Sequence, residues 1–293
     1  MKVLCFGSMN IDYVYQVDHM VGLGETENST GMSVNCGGKG LNQSIALARA
    51  GVEVWHAGLV GSDGKGLVDK CIENKVNTDY VRMTEGKSGH TIIQVDKDGN
   101  NSIILYGGAN RSMTPDFIEE VLNGFEKGDM IILQNEINLL GAIIDKAYTK
   151  GMTVVLNPSP YNEALAECDL SKVTYFILNE IEGGQMTGMK DPDEILKEIH
   201  KKFPKAKVVL TLGEDGSMYL DGDEVYRQAA YKVEAVDTTA AGDTFTGYFI
   251  SQIISGKSPA EGLRLAAKAS ALAVTRPGAL DSIPAMEEVL KEK

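Results

Sequence analysis

The feature that most constrains the fold is an alternation of short apolar runs with segments of helical periodicity, repeated along most of the chain. The runs are almost continuously apolar, which is typical of strands in a parallel sheet that helices cover on both faces. We therefore predict an α/β fold with a mostly parallel central sheet and helices on both faces. The predicted strands are Lys2 to Phe6, Val54 to Leu59, Met130 to Gln134, Thr153 to Asn157, Tyr175 to Leu178 and Lys207 to Thr211.

Residues typical of helix ends support the same alternation of strands and helices. Two predicted helices, Leu41 to Ala50 and Asn138 to Lys150, are each followed by a glycine, the residue that best tolerates the left-handed conformation after a helix. Thr114 followed by Pro115 has the composition of an N-cap and first helical turn. Because no repeat or low-complexity linker interrupts the pattern, we predict a single domain over residues 1–293.

Two stretches depart from this alternation of strands and helices, because their apolar and polar residues alternate with a period of two. They are Tyr13 to Val34, and His90 to Tyr106 with a turn signal at Asp98-Gly99-Asn100. This alternation is typical of antiparallel strands. We predict that the inserted strands, residues 11–36 and 88–107, form a small lid over the site. The apolar face of such a lid further predicts a homodimer that pairs through it.

Charge and cysteine content exclude several classes of partner. A net charge of −13 argues against nucleic acid and against anionic membranes, and no apolar stretch approaches the roughly 20 residues that cross a bilayer. The N-terminal apolar run is too short for a signal peptide, so a cytoplasmic protein is expected. The four cysteines, Cys5, Cys36, Cys71 and Cys168, are far apart and predict reduced thiols rather than a zinc site or disulfides. For Cys36, beside a glycine-rich turn, a reactive thiol is the alternative to a buried filler.

The segment Asp237 to Gly247 passes from small residues into an apolar helical pattern and places Gly242 and Asp243 at a helix start. Small residues let the backbone approach a ligand, and the free N–H groups of a first helical turn suit a phosphate. An aspartate there can accept a hydroxyl proton while the amides hold the phosphoryl group. From these residues alone, an ordinary Asp-Thr helix cap stays open as the alternative.

A second cluster of glycines leads into a predicted helix at Asn35 to Gln43. Its Lys39, Asn42 and Gln43 offer donors that suit a polyhydroxylated ligand, whereas a flexible loop with a helix cap is the alternative. The spacing is not that of a P-loop, because Ser33 stands where its first glycine would be. A dinucleotide fingerprint at Gly22 also fails, since its third glycine is replaced by Glu27.

Taken in order, the motifs of this chain resemble those of the ribokinase family of carbohydrate kinases. The resemblance covers nearly the whole sequence, and the GGKGxNQ turn together with DTxAAGDTF is specific for the family, with the turn favouring its ribokinase branch. The matching segments are Gly7 to Asp12, Gly24 to Thr26, Gly37 to Gln43, Gly108 to Asn110, Asn157-Pro158, Asn179 to Glu182, Thr211 to Gly213 and Asp237 to Gly247.

The resemblance implies an ATP-dependent kinase that phosphorylates the primary hydroxyl of a pentose, with D-ribose and ribose 5-phosphate as the expected pair. It implies that Asp243 is the base and that an anion hole is formed by Ala240, Ala241 and Gly242. The implied sugar contacts are Asn10, Asp12, Gly38, Lys39, Asn42 and Glu136. The implied nucleotide contacts are Asn179, Thr211, Gly213 and Gly216, with Glu182 organising Mg²⁺. The positions implied around a monovalent cation, K⁺, are Asp237, Thr239, Ala273, Arg276, Gly278 and Ser282.

Three residues depart from the family pattern and leave the acceptor open: His90 on the lid, Asn135 beside the sugar residues, and Ala267 near the expected adenine. A deoxypentose, fructose, a ketodeoxy sugar acid or a nucleoside are the alternative acceptors. A non-catalytic sugar or nucleotide sensor on the same fold is the alternative from another class, against which the intact Asp243 argues. A dinucleotide oxidoreductase is disfavoured by the failed fingerprint.

Overall fold

The computed structural model describes residues 1–291, and within that range the chain forms thirteen strands and nine α-helices. The strands are β1 (Val3–Phe6), β2 (Asn10–Gln16), β3 (Gly31–Gly37), β4 (Val54–Val60), β5 (Asn77–Met83), β6 (Gly89–Val95), β7 (Asn101–Tyr106), β8 (Met130–Gln134), β9 (Thr153–Asn157), β10 (Tyr175–Asn179), β11 (Lys207–Thr211), β12 (Ser217–Asp221) and β13 (Glu224–Gln228). The helices are α1 (Lys39–Arg49), α2 (Lys65–Glu73), α3 (Pro115–Leu122), α4 (Leu140–Thr149), α5 (Glu180–Thr187), α6 (Pro192–Lys202), α7 (Ala241–Ile254), α8 (Pro259–Val274) and α9 (Met286–Lys291).

Nine strands form the central sheet, in the order β13-β12-β11-β10-β9-β8-β1-β4-β5. All its pairs are parallel except β11 with β12 and β12 with β13, at one edge. The α/β fold class predicted from the apolar runs is therefore confirmed, and all six predicted strands lie in this sheet. Strands β5, β12 and β13 were not predicted, because their residues are only partly apolar.

Helices cover both faces of this sheet because its strands are apolar on both sides. Along β1, Leu4 and Phe6 point into one core while Val3 and Cys5 point into the other. Helices α3, α4 and α6 contribute to the first core, and α1, α7 and α8 contribute to the second. Gly51 and Gly151 have φ of 87° and 76°, which confirms the left-handed residues predicted after α1 and α4. Among residues 1–291, no helix combines the length and apolar character needed to cross a bilayer.

The remaining four strands form a second sheet in the order β3-β2-β6-β7. The pairs β2/β3 and β6/β7 are antiparallel, as predicted, but the central pair β2/β6 is parallel. The reason is that β2 follows β1 and β6 follows β5, and β1 and β5 run in the same direction in the central sheet. We call this second sheet the lid sheet; its action as a lid and the single-domain organisation stay predictions.

Polar residues stand at the carboxyl ends of the central parallel strands. They are Gln134 at the end of β8, Asn157 at the end of β9, Asn179 at the end of β10 and Thr211 at the end of β11. Because parallel strands end at the same edge of the sheet, these side chains lie along one crevice, the place where ligands bind in open α/β sheets.

Candidate active site

The centre of the site is set by a close contact between α1 and α7. A Cβ added to Gly247 would lie 2.5 Å from the Cβ of Ala46, so the two helices touch where only glycine fits. One turn earlier on each helix stand Asn42 and Asp243, and Nδ2 of Asn42 donates to Oδ2 of Asp243 at 2.8 Å. The glycine contact thus brings together two residues 201 positions apart in the chain.

The carboxylate of Asp243 is buried and held from both sides by carboxamides. Its Oδ1 accepts from Nε2 of Gln43 at 2.9 Å, while Nε2 of Gln43 also lies 3.2 Å from Oδ1 of Asn157. Nε2 of Gln134 donates to Oε1 of Gln43 at 2.6 Å and fixes that side chain in turn. Gln43 was interpreted as a ligand donor, and it contacts the aspartate instead. Gln134 and Asn157 were missed as supports; a polar residue closing a buried strand was the available signal.

The amides beside Asp243 are presented by an uncapped helix start. Ala240, the residue before α7, is left-handed with φ of 60° and makes no side-chain cap hydrogen bond. A non-glycine residue in this region is uncommon and strained, which is frequent at functional sites. Ala241 and Gly242, in the first turn, line the cavity, and a first helical turn leaves N–H groups without partners inside the helix. The Ala241 amide donates to the Thr238 carbonyl at 3.2 Å.

A cavity of about 790 Å³ joins the predicted catalytic and nucleotide residues. This volume lies within the range of sites that hold nucleotide-sized ligands. Its lining includes Ala267, one of the three departures from the family pattern. The predicted residues that line it are Lys39, Asn179, Glu182, Thr211, Gly213, Gly216, Ala240, Ala241, Gly242 and Asp243.

Asn179 and Glu182 form a capping box at the start of α5. Oδ1 of Asn179 accepts from the Glu182 amide at 2.8 Å, and Oε2 of Glu182 accepts from the Asn179 amide at 3.1 Å. This box fixes the Glu182 carboxylate at the wall of the cavity. A carboxylate is the hard oxygen ligand that Mg²⁺ prefers, usually through waters, so the donor set fits that ion although it also serves the helix.

Charged groups converge at the start of α1. Gly38, with φ of 94°, is the N-cap residue, and the Lys39 amide donates to Oε2 of Glu136 at 3.0 Å. Ser8 also donates to this carboxylate. Burial acts against the charge of the Lys39 ammonium, yet the carboxylates of Asp243, Glu136 and Glu182 outweigh it and raise its pKa. Burial raises the pKa of Glu136, and Lys39 and Ser8 oppose that rise.

The remaining predicted sugar residues lie on β2 of the lid sheet. Asn10 is buried, and its Oδ1 accepts from Nδ2 of Asn110 at 2.7 Å. Oδ1 of Asp12 accepts from Oγ1 of Thr91 at 2.6 Å. Burial raises the pKa of Asp12 to about 6, the Thr91 hydrogen bond opposes this rise and the charge of Glu136 adds to it.

His90 faces away from these residues. It precedes Thr91 on β6, and neighbouring residues of a strand point to opposite faces of the sheet. Its ring contacts Tyr13 and Tyr106, with centroid distances of 5.9 and 4.9 Å. The departure of His90 from the family pattern is better explained by this aromatic cluster, on the face of the lid sheet opposite Asp12, than by contact with a ligand beside Asp12.

The residues expected around a monovalent cation meet in the loop before α7 and after α8. Asp237 accepts from the amides of Thr239 at 2.9 Å and Gly278 at 2.8 Å. Burial raises the pKa of Asp237, but these hydrogen bonds outweigh it and the net shift of the pKa is downward.

The other predicted cation positions lie after or at the end of α8. The Arg276 guanidinium is bound to Glu288, so Arg276 can offer a cation only its carbonyl. Ala273 accepts from the Arg276 amide, and Ser282 is buried and donates to the Ala279 carbonyl.

The cysteines show no sign of a reactive thiol. All four are free, and burial raises the pKa of Cys36 despite the opposing charge of Lys70. A thiol with a raised pKa is a poor nucleophile. The filler interpretation of Cys36 is therefore favoured.

Comparison with known proteins gives a consistent result. The chain matches the model of the pfkB family carbohydrate kinases over residues 1–286. A ribokinase from Staphylococcus aureus (strain COL) is 35% identical over 301 residues, covering 98% of this chain and 98% of the relative. The structure of Arabidopsis thaliana ribokinase complexed with ribose and ATP has a TM-score of 0.86 at 31% identity, covering 99% of this chain and 97% of that chain. Ribokinase from Cryptococcus neoformans var. grubii serotype A in complex with ADP has a TM-score of 0.87 at 31% identity, covering 99% of both chains.

Proposed function

The chain belongs to the pfkB family of carbohydrate kinases, and we propose that it transfers the γ-phosphoryl group of ATP to the primary hydroxyl of D-ribose. The observation that carries this proposal is the position of Asp243, a buried carboxylate in the first turn of α7 at the wall of the nucleotide-sized cavity. The similarity to ribokinases, one of them solved with ribose and ATP, supports ribose as the acceptor.

In the proposed mechanism, Asp243 orients the acceptor hydroxyl and takes its proton. Phosphoryl transfer passes through a loose transition state, so a weak base is sufficient and positioning matters most. The N–H groups at Ala241 and Gly242 stabilise the negative charge that spreads over the transferred group, and Ala241 exchanges its hydrogen bond to the Thr238 carbonyl for one to that group. The Lys39 ammonium adds positive charge beside them. Asn42 and Gln43 keep the carboxylate in one orientation. Glu182 would help to hold Mg²⁺, which when bound would supply positive charge to the phosphates.

The direct test is ADP release measured with ATP, Mg²⁺ and a panel of acceptors: ribose, 2-deoxyribose, fructose, a ketodeoxy sugar acid and a nucleoside. We expect the highest kcat/KM with ribose. A clear rate with another acceptor and none with ribose would transfer the assignment to that acceptor. Ligand binding without ADP release for any acceptor would favour the non-catalytic sensor.

A cytoplasmic location belongs to the same proposal. It is supported by the four free thiols, since reduced cysteines are typical of reducing compartments. The net charge of −13 argues against a nucleic-acid partner, whereas a small anionic substrate needs no basic surface, because backbone amides at a helix N-terminus can hold its phosphates.

Potassium is expected to raise kcat more than sodium does. The ionised Asp237 ties together Thr239 and Gly278, so a cation bound to their carbonyls would stiffen the loop that leads into α7. Rates are measured in potassium-free buffer with either salt added. Asp237→Asn, which keeps an oxygen acceptor but removes the charge, should flatten the potassium response. Equal rates with both salts in the unmodified protein would contradict the prediction.

A homodimer is expected to form through the outer lid face, the side of the lid sheet opposite Asp12. The large apolar side chains on this face are between 41% and 61% exposed and come from three of the four strands. They are Met32, Val34, Ile92, Ile104 and Tyr106. An apolar surface of this extent is seldom left in water.

The dimer is tested by light scattering at micromolar concentration, with substitutions of two isoleucines of nearly equal exposure. Ile104 is 61% exposed on the lid sheet, and Ile72 is 59% exposed on α2. Ile104→Lys should give the monomer mass, whereas Ile72→Lys should leave the dimer intact. A monomer mass for the unmodified protein would refute the prediction.

A further inference from the structure

Thr91 and Asp12 form a pair inside the lid sheet. They are direct partners in the parallel register of β2 and β6, so their side chains stand on the same face. Oγ1 of Thr91 donates to Oδ1 of Asp12 at 2.6 Å, and Thr91 is only 8% exposed. Asp12 is half-buried, and a short hydrogen bond to a carboxylate is one of the stronger side-chain interactions.

The second oxygen of Asp12 has a different environment. Oδ2 lies where a Cβ on Gly37 would be 2.0 Å away, so the carboxylate occupies space that only a glycine leaves free. Within residues 1–291, the hydrogen bonds of Asp12 side-chain oxygens to protein groups involve Oδ1. The carboxylate therefore has one oxygen engaged by the protein and one available for a ligand.

We propose that Thr91 is a positioning residue: it holds Oδ1 of Asp12 so that Oδ2 is presented to a hydroxyl of the acceptor sugar. This inference rests on the proposed sugar kinase function. Without the threonine hydroxyl, the Asp12 carboxylate loses the one donor that it has among residues 1–291, and its orientation beside Gly37 is no longer fixed. The residue acts on sugar binding, whereas phosphoryl transfer at Asp243 and nucleotide binding do not depend on it.

The same pair gives the sugar affinity a pH dependence. The ionised form of Asp12 is the better acceptor, so affinity is present above its pKa of about 6 and is lost as the pH falls through that value. Since the Thr91 hydrogen bond lowers this pKa, its removal shifts the midpoint to higher pH. Two other titratable groups interact with Asp12 through their charges. The charge of Glu136 raises the pKa of Asp12, and the charge of Asp12 raises the pKa of the Cys36 thiol. Asp12→Asn identifies the part of the profile that belongs to Asp12.

The experiment compares Thr91→Val, which keeps shape, with Thr91→Ser, which keeps the hydroxyl. The sugar KM, the ATP KM and kcat are measured from pH 5 to 8. Near neutral pH we expect Thr91→Val to raise the sugar KM about tenfold, while kcat and the ATP KM stay within about twofold of those of the unmodified protein. The KM midpoint should move to higher pH, and Thr91→Ser should restore both. Thr84→Val, which removes a hydroxyl bound to the Val60 carbonyl outside the site, is the matched control.

The outcomes separate this inference from the proposed function. An unmodified protein that phosphorylates ribose, with the same KM profile in Thr91→Val, would overturn the role of Thr91 alone. No ribose phosphorylation by the unmodified protein would instead refute the proposed acceptor. In that case carboxyl NMR titration of the ligand-free protein, with Asp12→Asn to assign the signal, still decides whether the threonine controls this carboxylate. An unchanged midpoint in Thr91→Val would then overturn the pairing.

Discussion

Asp243→Asn is expected to lower kcat by on the order of 10² to 10⁴ while nucleotide binding stays largely intact. The amide is the same size as the carboxylate but cannot take the proton of the acceptor hydroxyl. The remaining rate would come from the anion-hole amides and from positioning of the reactants.

The Asp243→Asn variant should fold, because the side chains that hydrogen-bond to residue 243 can adjust to an amide. Both oxygens of Asp243 accept from amide donors, so the new Nδ2 group of an asparagine would face a donor. Gln43 is fixed by its own partners, but Oδ1 of Asn42 is buried and has no hydrogen-bond partner among residues 1–291. A flip of the Asn42 amide turns this oxygen towards the new donor. The Asn42 Nδ2 group then takes the unpartnered position that Oδ1 held before, so the number of unpartnered buried atoms does not rise. Thermal unfolding of the variant should therefore be close to that of the unmodified protein.

Asp12→Asn is the matched control, because it makes the same chemical change at another aspartate of the site. A contact made equally in the ground and transition states changes binding rather than turnover, so this variant should mainly raise the sugar KM. Some loss of kcat is also expected, since a misplaced sugar reacts poorly. Near-normal kcat in a folded Asp243→Asn protein would exclude this residue as the base and leave positioning by the amides as the mechanism.

The central sheet could be predicted from sequence because its strands are buried on both faces. The bounds of β8, β9 and β11 agree with the predicted strands to the residue. The hairpin of β12 and β13 was missed, because its outer strand is largely exposed and carries Glu224 and Arg227. A strand at the edge of a sheet has only one neighbour, so little apolar pattern marks it.

In the site, the motif predicted Asp243 but not what holds it. Gln43 reaches Asp243 across 200 positions of chain, and Gln134 reaches Gln43 across 91 positions. Only the packing of α1 on the central sheet makes those contacts. The same limit applies to the lid sheet. Alternation alone places His90 and Thr91 on opposite faces, but the register with β2 is needed to show which of them lies beside Asp12.

Gly40→Ala is expected to destabilise the protein by about 3 kcal/mol and to raise the sugar KM strongly. A Cβ at this position would lie 2.5 Å from the Ser8 amide nitrogen and 2.6 Å from the Gly7 carbonyl carbon. Both neighbours are backbone, so the first turn of α1 must move away from the end of β1. That turn carries Lys39 and Asn42, and its displacement would weaken the sugar site together with the fold.

Gly66→Ala is the matched control for this substitution. Gly40 and Gly66 are each the second residue of a helix, and both stand between a lysine and a leucine. No atom lies within 4 Å of a Cβ added at Gly66, so alanine there should be neutral or stabilising by up to about 1 kcal/mol through its higher helix propensity. Denaturant midpoints and the sugar KM are measured for both variants. Equal midpoints would mean that α1 and β1 can separate freely, and that close backbone contact does not position Lys39 and Asn42.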